Sequence, residues 1–166
     1  MVLVVSGVAG SGKTTIGKML AERLEVAYAE ADDFHSEANR LRMAAGLPLS
    51  DHDREPWLAA IHDWIEQRLR AGESGVVTCS ALKRSYRDRL AIPGVRLVFL
   101  KVDWATVESR LVSRRGHFFP AELAASQFET LEEPGPGEDV LVVDGSRTPE
   151  EVVSQILEGV SVPSKP

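Results

Sequence analysis

Residues 7–14 read Gly7-Val8-Ala9-Gly10-Ser11-Gly12-Lys13-Thr14, directly after the apolar run Val2-Leu3-Val4-Val5. The octapeptide satisfies the phosphate-loop pattern G-x-x-x-x-G-K-[ST]. Its surroundings decide the fold. The β-branched run before it predicts a buried strand over Val2–Ser6. Ile16, Met19, Leu20 and Leu24 after it are spaced as one face of a helix. Strand, glycine loop and helix together form a nest of backbone N–H groups at a helix N-terminus, where the dipole favours an anion. Gly7, Val8, Ala9, Gly10, Ser11, Gly12, Lys13, Thr14 and Thr15 are therefore the expected nucleotide-phosphate site. Gly10 and Gly12 permit backbone conformations closed to other residues. Lys13 would reach the β- and γ-phosphates, and the Thr14 hydroxyl would sit on Mg²⁺. A chance glycine-rich turn is the competing reading, and the flanking strand and helix count against it.

The bulk properties are those of a globular enzyme-sized domain. The chain has 166 residues, 43% hydrophobic and 27% charged, which suits one domain over 1–160 with a tail over 161–166. A net charge of −6 argues against nucleic acid as a partner. Cys79 is the only cysteine, so no intrachain disulfide can form. It ends the apolar run Val76-Val77-Thr78-Cys79, where a buried, inert thiol is expected. The first strand begins at residue 2, leaving no room for a signal peptide. No apolar run approaches the ~20 residues needed to span a bilayer. The expectation is a cytoplasmic protein without a membrane partner.

Strand and helix signals alternate along the chain. Strands are expected at Val2–Ser6, Val26–Glu30, Gly75–Cys79, Arg96–Val102 and Val140–Val143. One helix begins near Ser36 and closes at Gly46. A second follows Asp53, with Pro56 in its first turn and Leu58, Ile61, Ile65 and Leu69 on one face, and stops at Gly72. Asp103 caps a third. The last carries a capping box, Thr148 with Glu151, and Pro149 at its first position. Glu132–Gly137 reads as a loop. The pattern predicts an α/β fold, a five-stranded parallel sheet with helices on both faces. In such sheets ligands bind at the carboxyl ends of the strands. Here that means Ser6–Thr15, Glu30–His35, Ser80–Lys83, Asp103 and Asp144–Pro149.

The polar residues suited to chemistry fall largely in those places. Phosphoryl transfer needs a carboxylate near the acceptor hydroxyl, and Glu30-Ala31-Asp32-Asp33 supplies candidates. Strand alternation sends Glu30 and Asp32 to one side; Asp33 suits a cap or turn. Arg110, Arg114, Arg115 and His117 form a dense cationic cluster. It reads either as a solvated basic helix end or as a lid, about 114–130, whose arginines close over the transferring phosphate. Lys83 and Arg87, one helical turn apart after the third strand, could hold an anionic substrate. Asp51-His52-Asp53-Arg54 resembles a metal cluster, but two carboxylates at a helix start more often act as caps and ion pairs. Trp57 and Trp64 read as packing residues.

With these blocks in view, the chain resembles the small gluconate kinases of the P-loop kinase superfamily from Val4 to about Leu157. The resemblance rests on the phosphate loop and on Asp32-Asp33-Phe34-His35 with Asn39, Arg40 and Met43. It continues through residues 46–54, Pro56-Trp57-Leu58, Cys79-Ser80-Ala81-Leu82-Lys83, Tyr86-Arg87-Asp88 and Glu108-Ser109-Arg110-Leu111. Its most specific blocks are Arg115-Gly116-His117-Phe118-Phe119 and Ser126-Gln127-Phe128-Glu129-Thr130-Leu131-Glu132. The resemblance implies a three-layer fold like adenylate and shikimate kinases, with strand order 2-3-1-4-5 and a lid. It implies a cytoplasmic homodimer that phosphorylates D-gluconate at its 6-hydroxyl with ATP and Mg²⁺. Lys13, Asp32 and Arg114 would then be catalytic. Arg110 and Pro149 would flank the adenine. His35, Ser80, Lys83, Arg87, His117 and Gln127 would join Asp32 around gluconate. Three departures from the family pattern stand out: Ser36 where proline is frequent, Ser50 where asparagine is common, and Glu30 in place of a frequent aspartate.

Other readings remain open at this level. A kinase of the same architecture could act on shikimate or a nucleoside monophosphate, although the blocks beyond the phosphate loop argue against it. A nucleotide switch would need a D-x-x-G sensor and usually N-K-x-D, and the sequence has neither. A non-catalytic ATP-binding module would have no use for Lys13, Thr14, Asp32 and the arginines together.

Overall fold

A computed structural model describes residues 1–113 and 121–161. The first half of the chain runs β1 (Val2–Ser6), α1 (Lys13–Leu24), β2 (Ala27–Glu30), a 3-10 turn (Ala31–Phe34), α2 (Glu37–Ala44) and α3 (Asp51–Arg70). Next come β3 (Gly75–Cys79), α4 (Arg84–Leu90), β4 (Val95–Lys101) and α5 (Trp104–Ser113). After the gap follow α6 (Ala121–Thr130), β5 (Val140–Asp144) and α7 (Pro149–Ser161). The five strands make one parallel sheet in the order β2-β3-β1-β4-β5, the order the resemblance implies.

β1 lies at the centre, and every one of its residues is buried. Alternation along it feeds two cores. Val2 and Val4 pack with Trp57, Leu58, Ile61 and Ile65 of α3. Leu3 and Val5 pack on the opposite face with Ile16 and Leu20 of α1 and with Val152, Val153 and Ile156 of α7. Each such side chain contributes roughly 1.5–3 kcal/mol through burial. Ser6 sits level with Cys79 and Phe99 on its neighbours. The loop after β1 therefore leaves the sheet beside the ends of β3 and β4. The height of α1 is set by Gly17, where an added Cβ would stand 2.5 Å from Thr78 Cγ2 and 2.9 Å from Tyr28 Cε2.

Element ends follow local chemistry. The α3 helix starts at Asp51, three residues before the position expected from sequence, because Ser50 and not Asp53 is the cap. Ser50 Oγ accepts the Asp53 N–H at 3.1 Å, and the Asp53 carboxylate accepts the Ser50 N–H at 2.9 Å. Pro56 thereby falls in the second turn, on the exposed face, where solvent can reach the carbonyl that its missing N–H leaves unbonded. The expected capping box of α7 is present, with bonds of 3.1 and 3.3 Å between Thr148 and Glu151. Asp103 caps α5 by accepting the Thr106 N–H at 2.8 Å. β2 starts one residue later than expected because the Val26 N–H closes the end of α1 on Ala21 O at 3.0 Å. β4 spans Val95–Lys101 rather than Arg96–Val102, and β5 runs one residue further, to Asp144. Cys79 is 1% exposed, and burial pushes its thiol up to about 12, so it is inert at neutral pH.

Candidate active site

The phosphate loop turns at Gly10 and Gly12, whose φ values of 78° and 97° lie in the left-handed region that a side chain disfavours. Gly12 is the N-cap of α1 and gives no side-chain cap, so the first helical N–H groups are left to an anion. The Ser11 hydroxyl is buried and has no hydrogen-bond partner among the described residues. Lys13 Nζ curls back over the loop, donating to Gly7 O and Val8 O at 2.9 Å each. From α6, Gln127 Oε1 accepts the Ala9 N–H at 2.7 Å. One helix of the second half thus grips the loop made by the first.

Two clefts open on either side of this loop and share Gly10 and Gly12. Lys13, Thr14, Glu30, Asp32, His35, Ser80 and Gln127 all line the first. Thr14 Oγ1 donates to Glu30 Oε1 at 2.5 Å, and the Tyr28 hydroxyl donates to Glu30 Oε2 at 2.9 Å. A hydroxyl and carboxylates at this spot are the hard oxygen donors that Mg²⁺ prefers. Asp32 is open to the cleft but enclosed by protein on its other sides. That enclosure pushes its carboxyl above the usual carboxylate range, against the pull of Lys13 and reinforced by Glu30. His35 stacks on Trp57, with ring centroids 4.5 Å apart and planes 6° apart. Burial, with Arg54 and Arg40 adding to it, pushes the imidazole down to about 4, so it is neutral in the physiological range.

Arg110 and Pro149 line the second cleft, with Thr15, Ser109, Gly145 and Arg147. The Arg110 guanidinium donates to Gly10 O at 3.0 Å and to Gly145 O at 2.6 Å. It ties the phosphate loop to the turn before α7.

Lys83 and Arg87 do not line either cleft. Lys83 Nζ is drawn to both carboxylate oxygens of Asp51, at 2.9 and 3.0 Å. Arg87 turns inward and is 1% exposed. Its guanidinium meets the Glu138 carboxylate at 3.0 Å and donates to Ala81 O and Leu82 O at 3.2 Å. An arginine so enclosed and so bonded has no face left for a substrate. Its work is to hold Ala81, whose φ of 40° is unfavourable for a residue with a Cβ. Arg114 and His117 lie outside the described residues, as does the first part of the expected lid.

Similarity to known proteins agrees with this geometry. A family model described as an AAA domain matches residues 2–134. The gluconokinase of Gluconobacter oxydans (strain 621H) is 46% identical over 157 residues, covering 93% of this chain and 88% of that one. The chain belongs to the gluconokinase family. Among solved structures, a gluconokinase from Sinorhizobium meliloti 1021 superposes with a TM-score of 0.86 at 41% identity, covering 96% of this chain and 90% of that one. An unliganded sugar kinase from Janibacter sp. HTCC2649 gives 0.91 at 42% identity, covering 98% and 95%.

Several of the gluconokinase-like blocks outside the phosphate loop meet at the first cleft. Leu47, Pro48, Leu49, Arg54 and Trp57 come from residues 46–58, and Ser126 and Gln127 from α6. Arg54 is the charged lining residue, among the described residues, that the sequence does not mark as a site candidate. The signal was available: Arg54 is three residues before Trp57, so a buried Trp57 brings Arg54 to the same helix face.

Proposed function

We propose that this gluconokinase-family chain transfers the γ-phosphoryl group of ATP to the 6-hydroxyl of D-gluconate, giving 6-phospho-D-gluconate and ADP. Asp32 carries the reading: its carboxylate shares one cleft with Lys13 at the carboxyl end of the sheet. There it can accept the proton as the O6–P bond forms and the bond from the γ-phosphorus to the β-bridging oxygen breaks. Lys13 and the loop amides hold the β- and γ-phosphates. Thr14 would hold Mg²⁺ with Glu30 beside it; the ion would neutralise charge on the bridging β- and γ-oxygens. His35, Ser80 and Gln127 line the acceptor side. Arg114 and His117 are assigned to a lid over about 114–130, with Arg114 stabilising the moving phosphoryl group. The reading includes a cytoplasmic homodimer. In support of a soluble setting, no helix among the described residues is long and apolar enough to cross a membrane. The net charge of −6 favours neither nucleic acid nor anionic lipid.

ADP release should be measured with gluconate, shikimate, nucleoside monophosphates and no acceptor. Turnover dependent on gluconate is expected. Equal release with no acceptor, or a preference for shikimate or a nucleotide, would overturn the assignment.

Adenine is assigned to the second cleft, between Arg110 and Pro149. A guanidinium stacked on an aromatic ring contributes about 0.5–2 kcal/mol. Arg110→Ala should therefore raise the KM for ATP roughly 3–30-fold, with the gluconate KM nearly unchanged. A variant that lost gluconate affinity instead would move Arg110 to the acceptor side.

A further inference from the structure

We infer that Arg54 reads the carboxylate of the acceptor, and so selects a sugar acid over the corresponding neutral polyol. The inference rests on the proposed gluconate phosphorylation and deepens it. Lys13 and Arg54 are the two cationic side chains, among the described residues, that line the first cleft. Lys13 belongs to the phosphate end. A linear acid phosphorylated at one terminus presents its carboxylate at the other, which needs a second cation away from the loop.

Arg54 is built for that task. It stands in the opening turns of α3, with its side chain 20% exposed. Nη1 donates to the Tyr86 hydroxyl at 3.3 Å and lies 3.9 Å from Asp51 Oδ1. Asp51 is already engaged, because Lys83 pairs with both of its oxygens and the Tyr86 hydroxyl donates to it as well. Asp51, Lys83 and Arg54 together therefore carry one surplus positive charge. Nε and Nη2 of Arg54 have no hydrogen-bond partner among the described residues. An arginine fixed on one side and open on the other offers the two-pronged donor edge that matches a carboxylate. One turn along the helix, Trp57 is buried under the His35 ring, so the wall beside Arg54 is rigid. His35 adds a buried Nδ1 without a partner among the described residues, suited to a hydroxyl of the same sugar acid.

The test compares D-gluconate with D-gluconamide, its neutral isostere, on the wild type, Arg54→Gln and Arg54→Lys. Losing a charge-assisted contact costs about 1.5–3 kcal/mol, or roughly 10–150-fold in affinity. Arg54→Gln should raise the gluconate KM by that factor, leave the ATP KM unchanged, and bring gluconate and gluconamide to near parity. The wild type should disfavour gluconamide by a similar factor, and Arg54→Lys should recover part of the preference. A folded Arg54→Gln or Arg54→Lys protein that keeps the full wild-type preference would overturn the inference. So would a wild type that treats the two acceptors alike. Failure of the underlying reading looks different: the wild type would release no ADP in response to gluconate.

Discussion

Lys13→Ala is expected to lower kcat by at least about 10³-fold, the scale on which a single positioned charge acts in phosphoryl transfer. The change should leave the fold in place. Lys13 is partly exposed and absent from all three apolar clusters. Its bonds to Gly7 O and Val8 O are each worth only about 0.5–1.5 kcal/mol net, a small part of a domain's stability. The same two bonds describe how the side chain waits: it is parked over the cradle its phosphate would enter. ADP release and a thermal melt on one preparation decide the matter. A variant with a wild-type melt and more than a tenth of wild-type turnover would remove Lys13 from the phosphate site.

Asp32→Asn should lower kcat by roughly 10²–10⁴, the usual contribution of a positioned acid or base, with little change in the KM for ATP. The pH profile gives a second reading of the same residue. The ionised carboxylate is the form that accepts a proton, and the folded protein holds its pKa above the usual carboxylate range. Activity should therefore fall with acidification sooner than for a solvated carboxylate, and that limb should vanish in the variant. For stability the sign is opposite. A raised folded-state pKa means the protonated form is favoured by folding, and this advantage is lost as pH rises through that pKa. Above it the ionised carboxylate opposes folding, so Asp32→Asn should melt no lower than the wild type at neutral pH. If turnover stays within a few-fold of wild type, the base is not Asp32, and Glu30, held by Thr14 and Tyr28, becomes the candidate.

How much was legible in sequence depended on how local the physics was. The phosphate loop, the capping box of α7 and the cap of α5 are set by residues within a few positions of one another, and the pattern locates them. The start of α3 was misplaced because both Ser50 and Asp53 are good caps; their reciprocal bonds put Ser50 outside the helix and Asp53 within it. The expectation that the 51–54 cluster serves as caps and ion pairs holds, since Asp53 completes the capping box of α3 with Ser50 and Asp51 pairs with Lys83. Side-chain direction was the harder problem. Lys83 and Arg87 follow a strand end, where ligands gather, but Arg87 answers to Glu138, 51 positions away, and no periodicity reports that. Arg54 was passed over for the converse reason. Its neighbours read as a cap, while its own side chain is turned into the cleft with Trp57 and His35.

The two clefts share Gly10 and Gly12 but draw most of their other walls from different stretches of chain. Residues 30–57, with the turn after β3, supply most of the first; residues 109–113 and 145–152 supply much of the second. Inheritance can therefore act on them separately. A lineage that altered the segment from the 3-10 turn to Trp57 would change what is phosphorylated while leaving the donor side intact. The α2 part of that segment is cheap to alter, since α2 contributes no buried residue and Leu41 and Leu47 are 65% and 55% exposed. The same partition suggests a route for laboratory recombination: crossovers at the phosphate loop and near Leu58 exchange much of the acceptor wall as one cassette, leaving Ser80 and Gln127 in place.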